Sequence, residues 1–147
     1  MASHEATIQA TSKNTEAILE LIETVKRSDV PAFKEGLAED VRWEYHPTGN
    51  TAQDADVPYM RLREGPEAAG KFIHDIEEDF DLHWIEPRAI LEGDDHVAVL
   101  LEYELTVKET GKRVHDQEIH LYRLDADGKV EEYRHFLDTA KAIEAHA

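Results

Sequence analysis

Two short patterns near the end of the chain carry groups that could do chemistry, Glu118-x-His120 and Arg134-x-Phe136-x-Asp138. Residues two apart on a β-strand point to the same side, so each pattern would present its groups to one face. A carboxyl such as Asp138, desolvated among apolar side chains, is raised in pKa and can remove a proton α to a carbonyl. His120 and the Tyr103 hydroxyl are suited to hydrogen-bond the enolate that then develops, and Arg134 is suited to bind a ligand carboxylate. Each residue also has a structural alternative. Asp138 precedes "TAKAI", and Asp is a preferred helix N-cap. Glu118 can satisfy either His120 or Arg134. Glu118-x-His120 is also half of a metal site, but no third ligand stands near it, so no metal is expected.

The elements that must position these residues follow from hydrophobic periodicity. From Leu82 onward the pattern has period two, which predicts strands near 83–92, 96–108, 113–124 and 129–138. Their connections are "EGDD", "ETGK" and "DADGK", residues that favour hairpin turns. In 97–107 the odd positions, including Val97, Val99, Leu101 and Tyr103, form the core face. A two-residue turn at "TG" pairs Glu109 with Lys112 and sets Tyr103 opposite Glu118 and Leu101 opposite His120. Glu118, His120 and Tyr122 then face inward, where Glu and His are unexpected.

The last hairpin admits two registers. A five-residue loop pairs Leu124 with Val130 and turns Arg134, Phe136 and Asp138 inward; a four-residue loop turns Tyr133, His135 and Leu137 inward instead. The first is the expected one. Several ionisable groups on one inner face imply a water-accessible cavity, because dry burial of each costs several kcal/mol.

Earlier in the chain, Ile18, Leu21, Ile22 and Val25 form one helical stripe, and Asn14 or Thr15 can cap it. Asp29 and Pro31 open a second helix, and Gly65 and Pro66 a third that carries Phe72, Ile73 and Ile76. "VRWEYHP" reads as a short strand with Trp43 available as a cavity wall. The irregular stretch 48–66 carries Tyr59, a second candidate wall, and its length suits a lid or a mouth. Helices followed by a run of strands predict an α+β fold. Residues 1–13 are expected to be a flexible arm and 14–147 a single domain.

Bulk composition narrows the partners. Asp and Glu number 33 against 16 Lys and Arg, a formal net charge of −17, which disfavours nucleic acid and anionic membranes. With no cysteine, disulfide and thiolate chemistry are excluded. No apolar run approaches the roughly 18 residues that span a bilayer, and the polar start lacks a signal-peptide core, so a cytoplasmic location is expected.

Three stretches, "SDVPAFKEGLAEDVRWEYH", "LREGPEAAGKFI" and "DGKVEEYRHFLDTAKAI", resemble the nuclear transport factor 2-like superfamily, and within it SnoaL-like, ketosteroid-isomerase-related proteins. The resemblance covers nearly the whole chain after residue 13. It implies a cone-shaped, curved antiparallel or mixed sheet with three N-terminal-side helices on its concave face. It also implies a homodimer joined through the outer face, where Leu100, Ile119, Leu121 and Tyr133 are expected. Asp138 resembles the cavity aspartate of several such enzymes. An Arg-x-Asp pair used by the family's epoxide hydrolases is replaced by Leu101 and Tyr103, which argues against that chemistry.

The expected activity is cofactor-independent acid–base chemistry of isomerase, cyclase or dehydratase type on a small hydrophobic carbonyl compound. Asp138, His120 and Tyr103 are the candidate catalytic residues. Trp43, Tyr59, Glu118, Arg134 and Phe136 are the candidate ligand contacts. The alternative is a non-catalytic domain that binds an apolar ligand or mediates dimerisation.

Overall fold

A computed structural model describes residues 12–147. Helix α1 (Lys13–Lys26) is capped by Ser12, whose side chain accepts the Thr15 amide. The expected cap at Asn14 or Thr15 therefore moves upstream, because Ser12 is the residue with extended backbone. Most of the proposed arm, residues 1–11, lies outside the described residues. Helix α2 (Val30–Glu35) follows Asp29 as N-cap with Pro31 in its first turn. Strand β1 (Leu37–Trp43) begins earlier than expected and ends at Trp43.

The stretch 48–66 is more ordered than the sequence suggests. It holds a short helix α3 (Thr51–Asp54), a 3-10 turn (Pro58–Met60) and strand β2 (Arg63–Glu64). Buried Ala52, Val57 and Met60 pack together beneath it. The Gln53 side-chain amide ties it down by donating to the carbonyls of Glu44, at 3.3 Å, and Met60, at 2.8 Å. Arg63 pairs with Asp75 of helix α4 (Pro66–Asp79).

Strands β3 (Phe80–Glu92), β4 (His96–Val107), β5 (Arg113–Leu124) and β6 (Val130–Phe136) then form a meander, and helix α5 (Thr139–His146) closes the chain. The single six-stranded sheet has the order β2-β1-β6-β5-β4-β3, with β1 parallel to β6 and the other pairs antiparallel. Edge strand β3 shifts register against β4 at His83 and again at Arg88. Such bulges bend and twist a strand, and Pro87 is tolerated there because an edge strand needs fewer backbone donors. The main core lies between the sheet and helices α1, α2 and α4, around Ile18, Phe33, Trp43, Phe72 and Leu101.

Two register expectations change. The β4–β5 connection is a four-residue loop, Lys108–Gly111, closed by the Val107 amide on the Lys112 carbonyl at 2.9 Å. Tyr103 therefore pairs with Asp116 and Leu101 with Glu118, two residues from the expected register. A slip of two preserves the face, so Glu118, His120 and Tyr122 still point inward. In the last hairpin Leu124 does pair with Val130, as expected, but Arg123 pairs with Glu132. Glu131 is thus an extra residue, a bulge that reverses the parity of everything after it. Tyr133 and His135 turn inward and are buried; Arg134 and Phe136 turn outward. Tyr133 accordingly leaves the outer face assigned to it.

Candidate active site

A cavity of about 640 Å³ separates the inner face of the sheet from α1 and α4. Its mouth is formed by its exposed lining residues, Lys26, Ser28, Glu77, Asp81, Leu82 and His83. The walls are apolar, with Leu21 and Ile22 from α1, Phe72 and Ile73 from α4, and Leu101 and Leu105 from β4. Polar groups converge from the end of β1, the middle of β5 and the second half of β6.

Trp43, Tyr59, Tyr103, Glu118 and His120 all line this cavity. Arg134 and Phe136 do not, because of the Glu131 bulge; on the outer face the Arg134 guanidinium lies over the Phe136 ring at 5.5 Å. Asp138 is exposed and caps α5 by accepting the Lys141 amide at 3.0 Å. It borders only a space of about 20 Å³ behind Tyr59 and Tyr103. The capping role therefore prevails over the placement of Asp138 as a base in the large cavity.

His135, a residue the expected register had turned outward, lines the cavity instead. The ring Nδ1 is bonded to the Glu44 carboxylate. Carboxylates only accept, so Nδ1 carries the proton, and Nε2 has no partner among the described residues. Glu44 is fully buried and its other oxygen meets His46 Nε2 at 2.9 Å. Its φ of 62° is uncommon for a residue other than glycine. This left-handed step, directly after Trp43, ends β1 and turns the carboxylate toward β6. The alternative four-residue register named His135 as inward; nothing in the sequence singled out Glu44.

Beside this pair stands a second. His120 Nε2 meets Glu118 Oε1 at 2.5 Å, and its Nδ1 lies 3.2 Å from the Tyr122 hydroxyl. The His120 and His135 ring centroids are 5.4 Å apart. The cavity floor thus holds two imidazoles, each oriented by its own carboxylate.

The electrostatics follow from burial set against pairing. For both Glu44 and Glu118 burial opposes ionisation, yet the charge and hydrogen bond of the adjacent histidine outweigh it and hold each carboxyl below the usual range. Burial pushes His135 down, but the charges of Glu44 and Glu118 prevail and raise it to about 9. Burial, reinforced by Glu118, pushes the Tyr59, Tyr103 and Tyr122 hydroxyls up. Burial followed by the charge of Glu44 does the same to Tyr133, so all four remain hydrogen-bond donors at neutral pH. Three fully buried side-chain polar atoms have no partner among the described residues, Trp43 Nε1 and the Tyr133 hydroxyl beside the cavity and Arg63 Nη1 away from it. Among the described residues no group of three or more His, Cys, Asp or Glu side chains is arranged to hold a metal ion. No described helix is long and apolar enough to cross a membrane.

Comparison with curated proteins returned no match. Solved structures agree on the fold. An NTF2-like protein of unknown function from Burkholderia pseudomallei is 25% identical, with a TM-score of 0.75 over 92% of this chain and 98% of that one. TerC co-crystallised with polyporic acid is 24% identical, with a TM-score of 0.73 over 91% and 98%. A Mycobacterium tuberculosis protein in complex with estradiol-17β-hemisuccinate is 18% identical, with a TM-score of 0.66 over 87% and 95%. The sequence itself matches the SnoaL-like domain over residues 18–133. Together with the six-stranded mixed sheet and the helices packed on one face of it, that match makes this chain a member of the SnoaL-like domain family.

Proposed function

We propose that the cavity binds a small, largely apolar carbonyl compound and catalyses proton transfer next to its carbonyl, as an isomerase, cyclase or dehydratase does. The observation that carries this is the pair of carboxylate-backed imidazoles, 5.4 Å apart, on the floor of an apolar cavity. In neutral form, His120 donates Nε2–H to Glu118, which leaves Nδ1 as the proton acceptor. Its contact with the Tyr122 hydroxyl, at 3.2 Å, is long enough for a substrate to replace. His135, protonated at neutral pH, offers Nε2–H to the carbonyl oxygen. His120 takes the proton from the α carbon, the electron pair moves onto that oxygen, and His135 stabilises the enolate. Return of that proton from His120 to another carbon completes isomerisation, and its delivery to a β-hydroxyl that leaves as water completes dehydration. Small ligands in related folds, polyporic acid with TerC and an estradiol ester with the mycobacterial protein, support the substrate size.

The outer face of the sheet supports a homodimer. Ile119 pairs with Leu100 and with Phe136 across three strands, and Ile119 and Phe136 are 43% and 46% exposed. A contiguous apolar row of this kind suits a protein contact.

The decisive experiment is exchange of α-protons with D2O, followed by NMR, for aromatic ketones that bind. Wild type should accelerate exchange, and His135→Asn and His120→Asn should each slow it by about 10²–10⁴. Binding without accelerated exchange would favour the second reading, a ligand-binding domain without catalysis. One observation favours that reading: both ring nitrogens of His120 already have protein partners.

A further inference from the structure

Behind the cavity floor a third imidazole completes the arrangement around Glu44. This fully buried carboxylate divides its two oxygens between two histidines, His135 Nδ1 on one and His46 Nε2 on the other at 2.9 Å. An ionised carboxylate only accepts, so His46 Nε2 carries a proton and donates it. The His46 side chain is 4% exposed and does not line the cavity. It packs instead against Phe136 of the outer face, with ring centroids 6.0 Å apart and the planes nearly perpendicular. Hydrogen bonds pin the backbone on either side of it. The Tyr45 amide donates to the Tyr133 carbonyl at 3.1 Å, the Gly49 amide to the His46 carbonyl at 3.0 Å, and Gln53 holds the Glu44 carbonyl.

Low dielectric makes such a group useful. In a dry site an ion pair competes with its neutral form, in which the proton crosses from His135 to Glu44. The neutral form leaves the His135 ring in place but removes the charge that stabilises an enolate. A second donor on Glu44 favours the carboxylate over the carboxylic acid. The other groups around the pair do not supply that donor. Glu118 favours positive charge on His135 but is bonded to His120. Arg63 of β2 senses Glu44 but pairs with Asp75. The hydroxyls of Tyr59, Tyr122 and Tyr133 lie in the field of Glu44, yet among the described residues only His46 and His135 side chains hydrogen-bond its carboxylate.

We infer that His46 is a positioning residue of the site: its Nε2–H, on the far oxygen of Glu44, keeps the shared proton on His135 and that ring charged. His46 touches no reacting atom and acts through Glu44. The inference deepens the reading of His135 as the group that stabilises the enolate, and its catalytic consequence rests on that reading.

The test is nitrogen-15 NMR of histidine-labelled protein at pH 7, in which the two ring-nitrogen shifts distinguish an imidazolium from a neutral ring. His135→Asn identifies the His135 signals. Wild type should show His135 as an imidazolium. His46→Gln sets an amide N–H where Nε2–H stood, and should keep both that signature and the rate of α-proton exchange. His46→Met has no donor; it should give the neutral pattern at His135 and slow exchange by about 10–100-fold, the weight of one hydrogen bond to a charged group. If the Met variant does not fold, His46→Phe makes the same comparison with a ring kept beside Phe136. A neutral His135 in wild type, an imidazolium that survives loss of the donor, or a Gln variant that behaves like Met would overturn the inference. Failure of Met and Phe alike to fold, with Gln folded, would overturn it too, since His46 would then serve folding alone. The acid–base reading fails separately: a wild type that shows the His46-dependent charge but exchanges no α-protons sinks catalysis and leaves the role of His46 standing.

Discussion

Replacing Glu44 by Gln isolates the buried charge pair beneath the cavity. Gln is nearly isosteric, and its side-chain oxygen can still accept from His135 Nδ1, so the change removes charge and little else. In wild type the folded pKa of His135 is about 9 against an ordinary value of 6.5. The folded value is the higher one, so the stabilisation is fully present below pH 6.5 and lost as pH rises through 9. The difference corresponds to about 3 kcal/mol at pH 6, falling below about 1 kcal/mol at pH 9. Glu44 has the opposite sign: its folded pKa is depressed, so its contribution is present above 4.5 and lost as pH falls through the folded value. In Glu44→Gln the charge that raises His135 is gone, burial dominates, and the histidine sheds its proton in the fold. Urea unfolding at pH 6, 7.5 and 9 should therefore show wild type ahead by about 3 kcal/mol at pH 6 and by less than about 1 kcal/mol at pH 9. Taking the difference between the two proteins cancels the other titrating groups. A gap that stays constant from pH 6 to pH 9 would refute the charged pair.

Other expectations follow from single contacts. Asp138→Ala should cost about 1 kcal/mol through loss of the α5 cap while Asp138→Asn costs a few tenths, and neither should change α-proton exchange; a large rate loss in the Asn variant would restore Asp138 as the base. Ile119→Lys should turn a dimer into a monomer in sedimentation velocity, and an unchanged sedimentation coefficient would remove the outer face as the interface. Leu101→Ala, at a fully buried site on the cavity wall, should destabilise the fold by about 2–5 kcal/mol in denaturant titration. With a net charge of −17, the thermal midpoint should rise as salt screens self-repulsion, and a flat response would show that the acidic groups are already compensated locally.

How much of this was legible in the sequence depended on the size of each error relative to the β period. The β4–β5 register differs from the one the turn residues suggest by two residues, and the inward set of Glu118, His120 and Tyr122 is unaffected because two residues is one full repeat. The β6 register differs by a single bulged residue, Glu131, and that places Tyr133 and His135 inward where Arg134 and Phe136 are expected. Bulges leave little trace in composition, since Glu suits an ordinary strand's outer face equally well. Similarly, two bulges in β3 blurred its period and hid its first residues, Phe80 to Leu82. Glu44 was out of reach for a different reason. It enters the interior through a left-handed backbone step, and its partner His135 lies far away in sequence. The helices were the easiest part, because the stripe of Ile18, Leu21 and Ile22 and the Asp29-x-Pro31 start depend only on local spacing.

The bulge at Glu131 gives strand β6 something like a reading frame. Its residues carry two interleaved messages: Tyr133 and His135 are addressed to the cavity, Arg134 and Phe136 to the outer surface. A one-residue insertion or deletion between Val130 and Tyr133 would swap the recipients, sending a cation and a phenyl ring to the ligand and an imidazole to the outer face. Substitutions can therefore tune either surface of this strand independently, whereas a change in its length by a single residue rewrites both at once.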